Sequence, residues 1–236
     1  MLDALYVKQL ENNVWFSELP SIFQNFILDK AQLLHIKKDQ NIFLSGDTFN
    51  GIYAVLEGTV SLGYINIQGK EAVAAIVEPI MWFGEISLVD QQPRSHDAIA
   101  VRSAIILHIH AQDLIQLLEQ HSQFWFYIAK LTTQKLRFAF LELISIQTQT
   151  IYQRLAQRLI TILGGYGNLL HIENNIIHLS QEQLAQMLVC SRQTINQELH
   201  NLEKEGIIQV SFKKIEVIDY QKLQNIAYNL NEYKQI

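Results

Sequence analysis

The sequence predicts an α+β protein with an N-terminal antiparallel β-sheet domain, a long helix, and a smaller C-terminal domain of helices and strands. Short β-branched segments separated by turn residues recur from Ile36 to Ile109, which favours a sheet. No Gly or Pro occurs from Asp113 to about Ser145, and strong helix formers dominate there. We therefore divide the chain into residues 1–112, 113–147 and 148–236.

Short apolar segments predict the strands of the first part. Turn residues such as Ser45-Gly46-Asp47 and Glu57-Gly58 separate them, at a spacing of about ten residues that is typical of an antiparallel sandwich or barrel. Residues Leu10 to Lys30, before the sheet, are expected to form short helices. The predicted strands are Asn41–Leu44, Ile52–Leu56, Thr59–Ile65, Ala72–Val77, Ala98–Val101 and Ala104–Ile109.

Composition excludes several classes of protein. Apolar residues make up 49% of the chain, which argues against disorder, and no apolar run approaches the roughly 18 residues of a membrane span. The N-terminus lacks the pattern of a secretory signal, so we expect a cytoplasmic protein with no membrane contact. Cys190 is the single cysteine, which excludes a disulfide within the chain and a four-cysteine cluster. The net charge of −5 neither supports nor excludes nucleic-acid binding.

Neither an enzyme nor a metal site is expected. No nucleophile elbow or phosphate-binding Walker loop occurs in the sequence. His108 and His110 share one strand face, but no third ligand lies near them in the sequence, so a metal site is not expected there.

The later part of the long helix predicts association of two chains. Residues 138–144 are apolar almost all round the helix, and such a helix must be covered on several sides. A second copy of the same helix would cover one side, which predicts a homodimer. The alternative is a helix buried inside one domain.

Residues 180–207 have the pattern of two helices joined by a tight turn. Ser180 and Gln183 form a capping box at the first helix, and Ser191 can cap the second. The apolar residues at helical spacing, which we expect to face inward, are Leu184, Ala185, Leu188, Ile195, Leu199 and Leu202. The side chains left exposed at the start of the second helix, where a helix-turn-helix reads base edges, are Arg192, Gln193, Asn196 and Gln197. The alternative is an ordinary helical hairpin.

Residues 82–98 suggest an anion-binding turn. Gly84 would let the backbone approach a ligand closely, and Glu85 can accept hydrogen bonds from sugar hydroxyls. Arg94 and Ser95 can bind a phosphate. The alternative is a solvated turn with a surface arginine.

Both stretches resemble the CRP/FNR family of transcription regulators. Residues 184–185, 190–195 and 202–206 are similar to the family's winged helix-turn-helix, and Phe83-Gly84-Glu85 with Pro93-Arg94-Ser95 is similar to the phosphate-binding cassette of cyclic-nucleotide-binding domains. The resemblance implies a β-roll or jelly-roll sensor domain, a long dimerisation helix and a C-terminal winged helix-turn-helix, in the three parts given above.

The resemblance also implies a function. The chain would be a sequence-specific DNA-binding transcription regulator that binds a near-palindromic site on double-stranded DNA, with RNA polymerase as a further partner. A cyclic nucleotide such as cyclic AMP would act as effector, with no tightly bound cofactor. Gly84, Arg94 and Ser95 would then hold the cyclic phosphate and Glu85 the ribose hydroxyl. Ser191 and the four exposed side chains at the start of the second helix would contact DNA.

The sequence departs from the family pattern at a few positions. Val189 stands where the turn between the helices usually has Gly, so the turn is either strained or of a different geometry. His96 and Asp97 replace small or apolar residues, and Ala139 and Phe140 offer no hydrogen bond to a base. Two alternatives therefore stay open: a cyclic-nucleotide-binding signalling protein that acts through protein contacts, and a DNA-binding regulator with another effector or none.

Overall fold

The computed structural model describes residues 2–65, 68, 71–77, 79–167, 169 and 175–228. The chain forms two compact units. The first contains Met1–Arg137 with Gly167–Leu170, and the second contains Phe138–Tyr166 with His171–Ile236. The three-part division of the sequence stays a prediction.

The first unit begins with three short helices, of which the second and third lie within the predicted range Leu10 to Lys30. They are α1 (Ala4–Glu11), α2 (Val14–Ser17) and α3 (Ser21–Lys30). Asp3 caps α1 and Asn13 caps α2, each through a side-chain oxygen that accepts from a backbone N–H.

The strands of the first unit form one antiparallel sheet. Its order is β1-β6-β3-β4, with β2 paired to β6 and β5 paired to β3. The helix α4 (Ile86–Asp90) lies between β5 and β6 in the chain. The strands are β1 (Gln32–Ile36), β2 (Asn41–Phe43), β3 (Gly51–Ile65), β4 (Glu71–Val77), β5 (Trp82–Phe83) and β6 (Asp97–His110).

Two expected strand breaks are absent, one in β3 and one in β6, where the segments Ala98–Val101 and Ala104–Ile109 are continuous. The segments Ile52–Leu56 and Thr59–Ile65 are one strand, β3, and the residues Glu57-Gly58 form an irregularity within it instead of a turn. Gly58 has a φ of 85°, and a Cβ there would lie 2.3 Å from the carbonyl oxygen of Ser103. The glycine signals a bulge, in which one strand bends without ending.

The predicted long helix is confirmed, but it is shorter than expected because the chain forms two helices there. They are α5 (Ala111–Gln120) and α6 (Phe124–Thr148). His121, with φ −136° and ψ 73°, leaves the helical conformation, and fully buried Phe124 packs at 4.7 Å from the ring of Phe23. The 25 residues of α6 span about 37 Å.

In its described residues, the second unit contains four further helices and a small sheet. The helices are α7 (Ile151–Leu163), α8 (Gln181–Leu188), α9 (Arg192–Lys204) and α10 (Tyr220–Tyr228). The strands β7 (Ile176–Ile177), β8 (Ile208–Ser211) and β9 (Lys214–Val217) pair in the order β7-β9-β8. The sequence predicts two short strands in this unit, Leu169–Ile172 and Ile176–His178. Residues 170–172 lie outside the described part of the chain, and β7 lies within the second of these segments.

The end of α6 is fixed to α7 by ion pairs. Glu142 Oε1 lies 2.7 Å from Arg158 Nη2 and 3.8 Å from Arg154 Nη2. The apolar side chains on the other sides of this part of α6 are exposed, namely Phe140, Leu141, Leu143, Ile144 and Ile146. Within the described residues, no helix combines the length and the apolar character of a membrane span.

Candidate functional site

The α8–α9 pair has the caps that the sequence predicts. Ser180 Oγ accepts a hydrogen bond from the backbone N–H of Gln183, and Gln183 Oε1 accepts one from the backbone N–H of Ser180. Ser191 Oγ accepts from the backbone N–H of Thr194 at 3.0 Å. These bonds satisfy N–H groups that a helix start leaves free, so both helix starts are fixed.

Burial divides α9 into two faces. Ile195, Leu199 and Leu202 are buried against the rest of the second unit. The side chains predicted to contact DNA are all exposed, namely Ser191, Arg192, Gln193, Asn196 and Gln197. Because helix positions i, i+1, i+4 and i+5 share a face, the last four of them form a single polar surface.

The amides on this surface already have neighbours. Gln197 Nε2 donates to Asn201 Oδ1 at 3.1 Å, and Asn196 Oδ1 accepts from Gln181 Nε2 at 3.3 Å. Arg192 forms no ion pair with any described residue. Its guanidinium group is therefore available to a guanine edge or to a phosphate.

The turn between α8 and α9 contains one residue in the left-handed backbone conformation, and that residue is Val189. Its φ of 53° and ψ of 51° belong to the left-handed region, and 83% of the residue is exposed. The alternative turn geometry considered from the sequence is therefore wrong, and Val189 is strained.

The hairpin β8–β9 follows α9 as the expected wing. Glu203 Oε1 of α9 accepts a hydrogen bond from the backbone N–H of Val210 at 2.9 Å, which ties the helix to the hairpin. Phe212 and Lys213 form the tip, where Phe212 is 89% exposed and the Lys213 ammonium lies 5.4 Å from its ring centre.

In the first unit, Gly84 lies where the backbone and Arg94 approach closely. Its φ is 91°, and a Cβ would lie 3.1 Å from Arg94 Nη1 and 3.2 Å from Tyr53 Cδ2. Any larger residue would displace the guanidinium group or the ring and would strain the backbone.

Arg94 is buried, with 3% of the residue exposed. Its Nη1 donates to the Gly84 carbonyl oxygen at 2.6 Å, and its Nη2 donates to Asn50 Oδ1 at 2.6 Å and to the Gly51 carbonyl oxygen at 2.7 Å. The carbon centre of the guanidinium group lies 4.3 Å from the ring centre of Phe43. Burial lowers the pKa of Arg94 from its ordinary value.

These contacts leave part of the guanidinium group unused. It carries five N–H donors, and the three hydrogen bonds above use three of them. The Nε of Arg94 is buried and has no hydrogen-bond partner. Since a buried cationic donor without a partner is costly, this atom is suited to an anionic ligand.

Glu85 follows Gly84 in the chain and is fully buried. Its carboxylate is paired with a lysine. Its Oε2 accepts from Lys135 Nζ at 2.5 Å, while its Oε1 is buried and has no partner. Lys135 comes from α6, 50 residues away in the sequence. Sequence reasoning missed it because nothing in the local pattern of α6 indicates a partner on another element.

Ser95 and His96 lie next to this pair. Ser95 is exposed, and its Oγ lies 2.9 Å from His96 Nδ1. The imidazole ring of His96 meets the ring of Phe43 edge-on, with centres 5.7 Å apart. Asp97 accepts from the backbone N–H groups of Ser45 at 2.8 Å and Ile65 at 3.2 Å, so it supports the loops around the site.

His108 and His110 have structural contacts. His108 stacks on Tyr53 with ring centres 4.5 Å apart, and His110 Nε2 lies 3.1 Å from Gln32 Oε1. No group of three metal-ligating side chains occurs in the described residues.

Both units match known protein families. The model of the cyclic nucleotide-binding domain matches residues 33–121, and that of the Crp-like helix-turn-helix domain matches residues 153–226. The cyclic AMP receptor protein of Thermus thermophilus is 31% identical over 190 residues, which is 80% of this chain and 85% of that protein. The chain belongs to the CRP/FNR family of transcription regulators. It is therefore a DNA-binding regulator, and regulators of this family are not enzymes.

The chain is also similar to a more distant relative and to a solved structure. A CRP-like cAMP-activated global transcriptional regulator of Mycobacterium tuberculosis is 22% identical, over 84% of this chain and 89% of that protein. The structure of FixK2 from Bradyrhizobium japonicum has the same fold, with a TM-score of 0.73 at 20% identity. The match covers 83% of this chain and 96% of the FixK2 chain.

Proposed function

We propose that this regulator binds DNA as a homodimer and that a cyclic nucleotide such as cyclic AMP controls the binding. The observation that carries the effector site is a pair of buried polar atoms without partners. They are Glu85 Oε1 and Arg94 Nε, on residues that are 0% and 3% exposed.

The two atoms have opposite requirements. A carboxylate oxygen needs a hydrogen-bond donor, and a guanidinium N–H needs an acceptor. A cyclic nucleotide supplies both, because its ribose hydroxyl donates and its phosphate oxygens accept. Glu85 therefore takes the ribose hydroxyl, while Arg94, together with Ser95 and the Gly84 backbone, takes the phosphate.

The ion pair between Glu85 and Lys135 stabilises the proposed site when no ligand is bound. Lys135 Nζ occupies one oxygen of the carboxylate, which keeps a buried charge compensated when no ligand is present. A bound phosphate would offer Lys135 a second anionic partner, so α6 would respond to the ligand through this side chain.

Calorimetric titration of the full chain with cyclic AMP, cyclic GMP and cyclic di-GMP tests the effector site. Arg94→Leu should lower affinity for the bound nucleotide about ten- to a hundredfold, because it removes a charge-assisted contact. Arg102→Leu, on an exposed position of β6, is the matched control and should leave affinity unchanged.

Arg94 also holds backbone carbonyls, so a second variant is needed. Glu85→Gln keeps the size of the side chain and should lower affinity about tenfold, since a neutral acceptor binds a hydroxyl more weakly than a carboxylate does. A wild-type protein that gives no binding heat with any of the three nucleotides would instead favour a regulator with another effector or none.

For DNA, the proposed readers are Ser191, Arg192, Gln193, Asn196 and Gln197. Arg192 pairs with O6 and N7 of guanine, and Gln193 and Gln197 favour adenine. Each half-site should then contain one required G, with adjacent positions that favour A·T. Selection from a random DNA pool tests this: sites with no constant G would contradict the role of Arg192.

A further inference from the structure

The pair formed by Ser95 and His96 has a proton-dependent hydrogen bond. Ser95 Oγ lies 2.9 Å from His96 Nδ1, and either atom can be the donor, depending on whether Nδ1 carries a hydrogen. Ser95 is exposed, whereas His96 Nε2 is buried and has no partner. The ring is fixed edge-on against Phe43, so the Nδ1 atom stays directed at the hydroxyl.

The hydrogen on His96 Nδ1 decides what the Ser95 hydroxyl can do. A serine hydroxyl has a single hydrogen to donate. If His96 is neutral with its hydrogen on Nε2, the hydroxyl donates to Nδ1 and has no hydrogen left for a ligand. If Nδ1 carries a hydrogen, in the protonated ring or in the other neutral tautomer, Nδ1–H donates to Ser95 Oγ, and the hydroxyl is free to donate to a phosphate oxygen.

The charges around His96 favour the neutral ring in the free protein. Burial, followed by the charge of Lys135, lowers the pKa of His96, and Arg94 acts in the same direction. Glu85 and Asp97 act in the opposite direction. A bound phosphate would add negative charge beside this group and would draw Lys135 and Arg94 into its own neutralisation.

We propose that His96 is a positioning residue that couples binding of a cyclic nucleotide to the uptake of a proton. When the anionic phosphate binds at Ser95, His96 takes up a proton from solvent, its Nδ1–H donates to Ser95 Oγ, and the Ser95 hydroxyl turns to the phosphate. This inference rests on the proposed effector site and adds to it a dependence on pH.

The sign of the dependence follows from linkage. The bound state holds more protons than the free state, so affinity rises as pH falls through the pKa of His96 in the complex. It levels off below the pKa of His96 in the free protein, where both states are protonated. Between these limits the affinity changes by up to about tenfold per pH unit.

The test is calorimetry of the full chain with cyclic AMP from pH 6 to 8, in buffers that differ in ionisation enthalpy. The expected result is a binding heat that depends on the buffer and reports uptake of up to one proton. His96→Gln cannot titrate, so it should bind cyclic AMP with no buffer dependence and a flat pH profile. His35→Gln, at an exposed histidine of β1, is the matched control and should behave as wild type.

A double-mutant cycle tests the step through Ser95. Ser95→Ala should weaken binding at low pH, and adding His96→Gln to it should cost less than His96→Gln does alone. If the His96 variant fails to fold, the ring can be titrated by NMR in wild type, where its pKa should rise when cyclic AMP binds.

Different failures have different meanings. Cyclic AMP binding without buffer dependence, uptake that survives in His96→Gln, or an unchanged histidine pKa would overturn the proton coupling and leave the effector site intact. Wild-type protein that binds no cyclic nucleotide would overturn the effector site and, with it, this inference.

Discussion

Val189 shows at the scale of one residue how the turn between α8 and α9 tolerates an unfavourable side chain. A β-branched residue in the left-handed conformation is strained by about 1–2 kcal/mol. Burial gives no compensation, because 83% of the residue is exposed. The hydrogen bond from Cys190 N–H to the Ala185 carbonyl oxygen, at 3.0 Å, helps to hold the turn in place.

Val189→Gly should therefore stabilise α8 and α9 against local opening. Relief of the strain is partly offset by the greater freedom of Gly in the unfolded chain, which leaves a gain of about 0.5–1 kcal/mol. Amide hydrogen exchange of the α8–α9 segment measures it. The control is Ile218→Gly, at an exposed β-branched residue without positive φ, and it should destabilise the unit. A Val189→Gly variant whose amides exchange faster than those of wild type would contradict the strain at Val189.

Arg192 carries the clearest prediction for base reading. Arg192→Ala should cost about 1–3 kcal/mol on the preferred site and should relax discrimination at a single base pair. Lys213→Ala, at the tip of the wing, should weaken binding to all sequences alike and lower the salt dependence. Affinities for sites substituted one base pair at a time separate the two effects, and an Arg192→Ala protein with unchanged base preference would remove Arg192 from the readers.

Some residues of the proposed effector site can be selected from the sequence, and others cannot. Gly84, Glu85, Arg94 and Ser95 lie in one short stretch, so the local pattern and the family resemblance select them as candidates, and their roles stay a prediction. That Arg94 would be buried and bonded to Asn50 and to the Gly51 carbonyl could not be predicted, because these two partners lie 44 and 43 residues away in the sequence. Lys135 was missed for the same reason.

At the scale of elements, periodicity predicted best where a local signal marks the end of the element. The sequence predicts a helix at Ile151–Leu163 that stops before Gly164, and α7 has these bounds. A capping box of Thr150 and Gln153 marks its start. The break between α5 and α6 has no Gly or Pro and arises from core packing of Phe124, so the sequence predicted one helix. The sequence at Glu57-Gly58 predicts a turn, whereas the structure has a bulge there. A glycine favours turns and bulges alike.

The exposed apolar side chains of α6 predict how two chains associate. Phe140, Leu143 and Ile144 are 57%, 55% and 55% exposed, and apolar patches of this kind mark association sites. Leu143→Glu would place a charge in the paired helices and should give a monomer at micromolar concentration by light scattering, where wild type is a dimer. Leu5→Glu, at an equally exposed leucine of α1, is the control; a Leu143→Glu protein that remains dimeric would place the interface elsewhere.

At the scale of the whole molecule, a homodimer presents two copies of α9. Two reading helices that bind successive major grooves lie about 34 Å apart, so the preferred site should be a near-palindrome. A site selected from a random pool without twofold symmetry would contradict the dimer as the DNA-binding form.

The most direct test of the account measures operator affinity with and without effector, by fluorescence anisotropy on a selected site at constant salt. Coupling between two sites in a protein is typically about 5- to 150-fold, so saturating cyclic nucleotide should change the affinity of wild type within this range. Glu85→Gln should need more nucleotide for the same change, and random-sequence DNA should show little response. Equal operator affinity of wild type with and without saturating cyclic AMP or cyclic GMP would contradict the account.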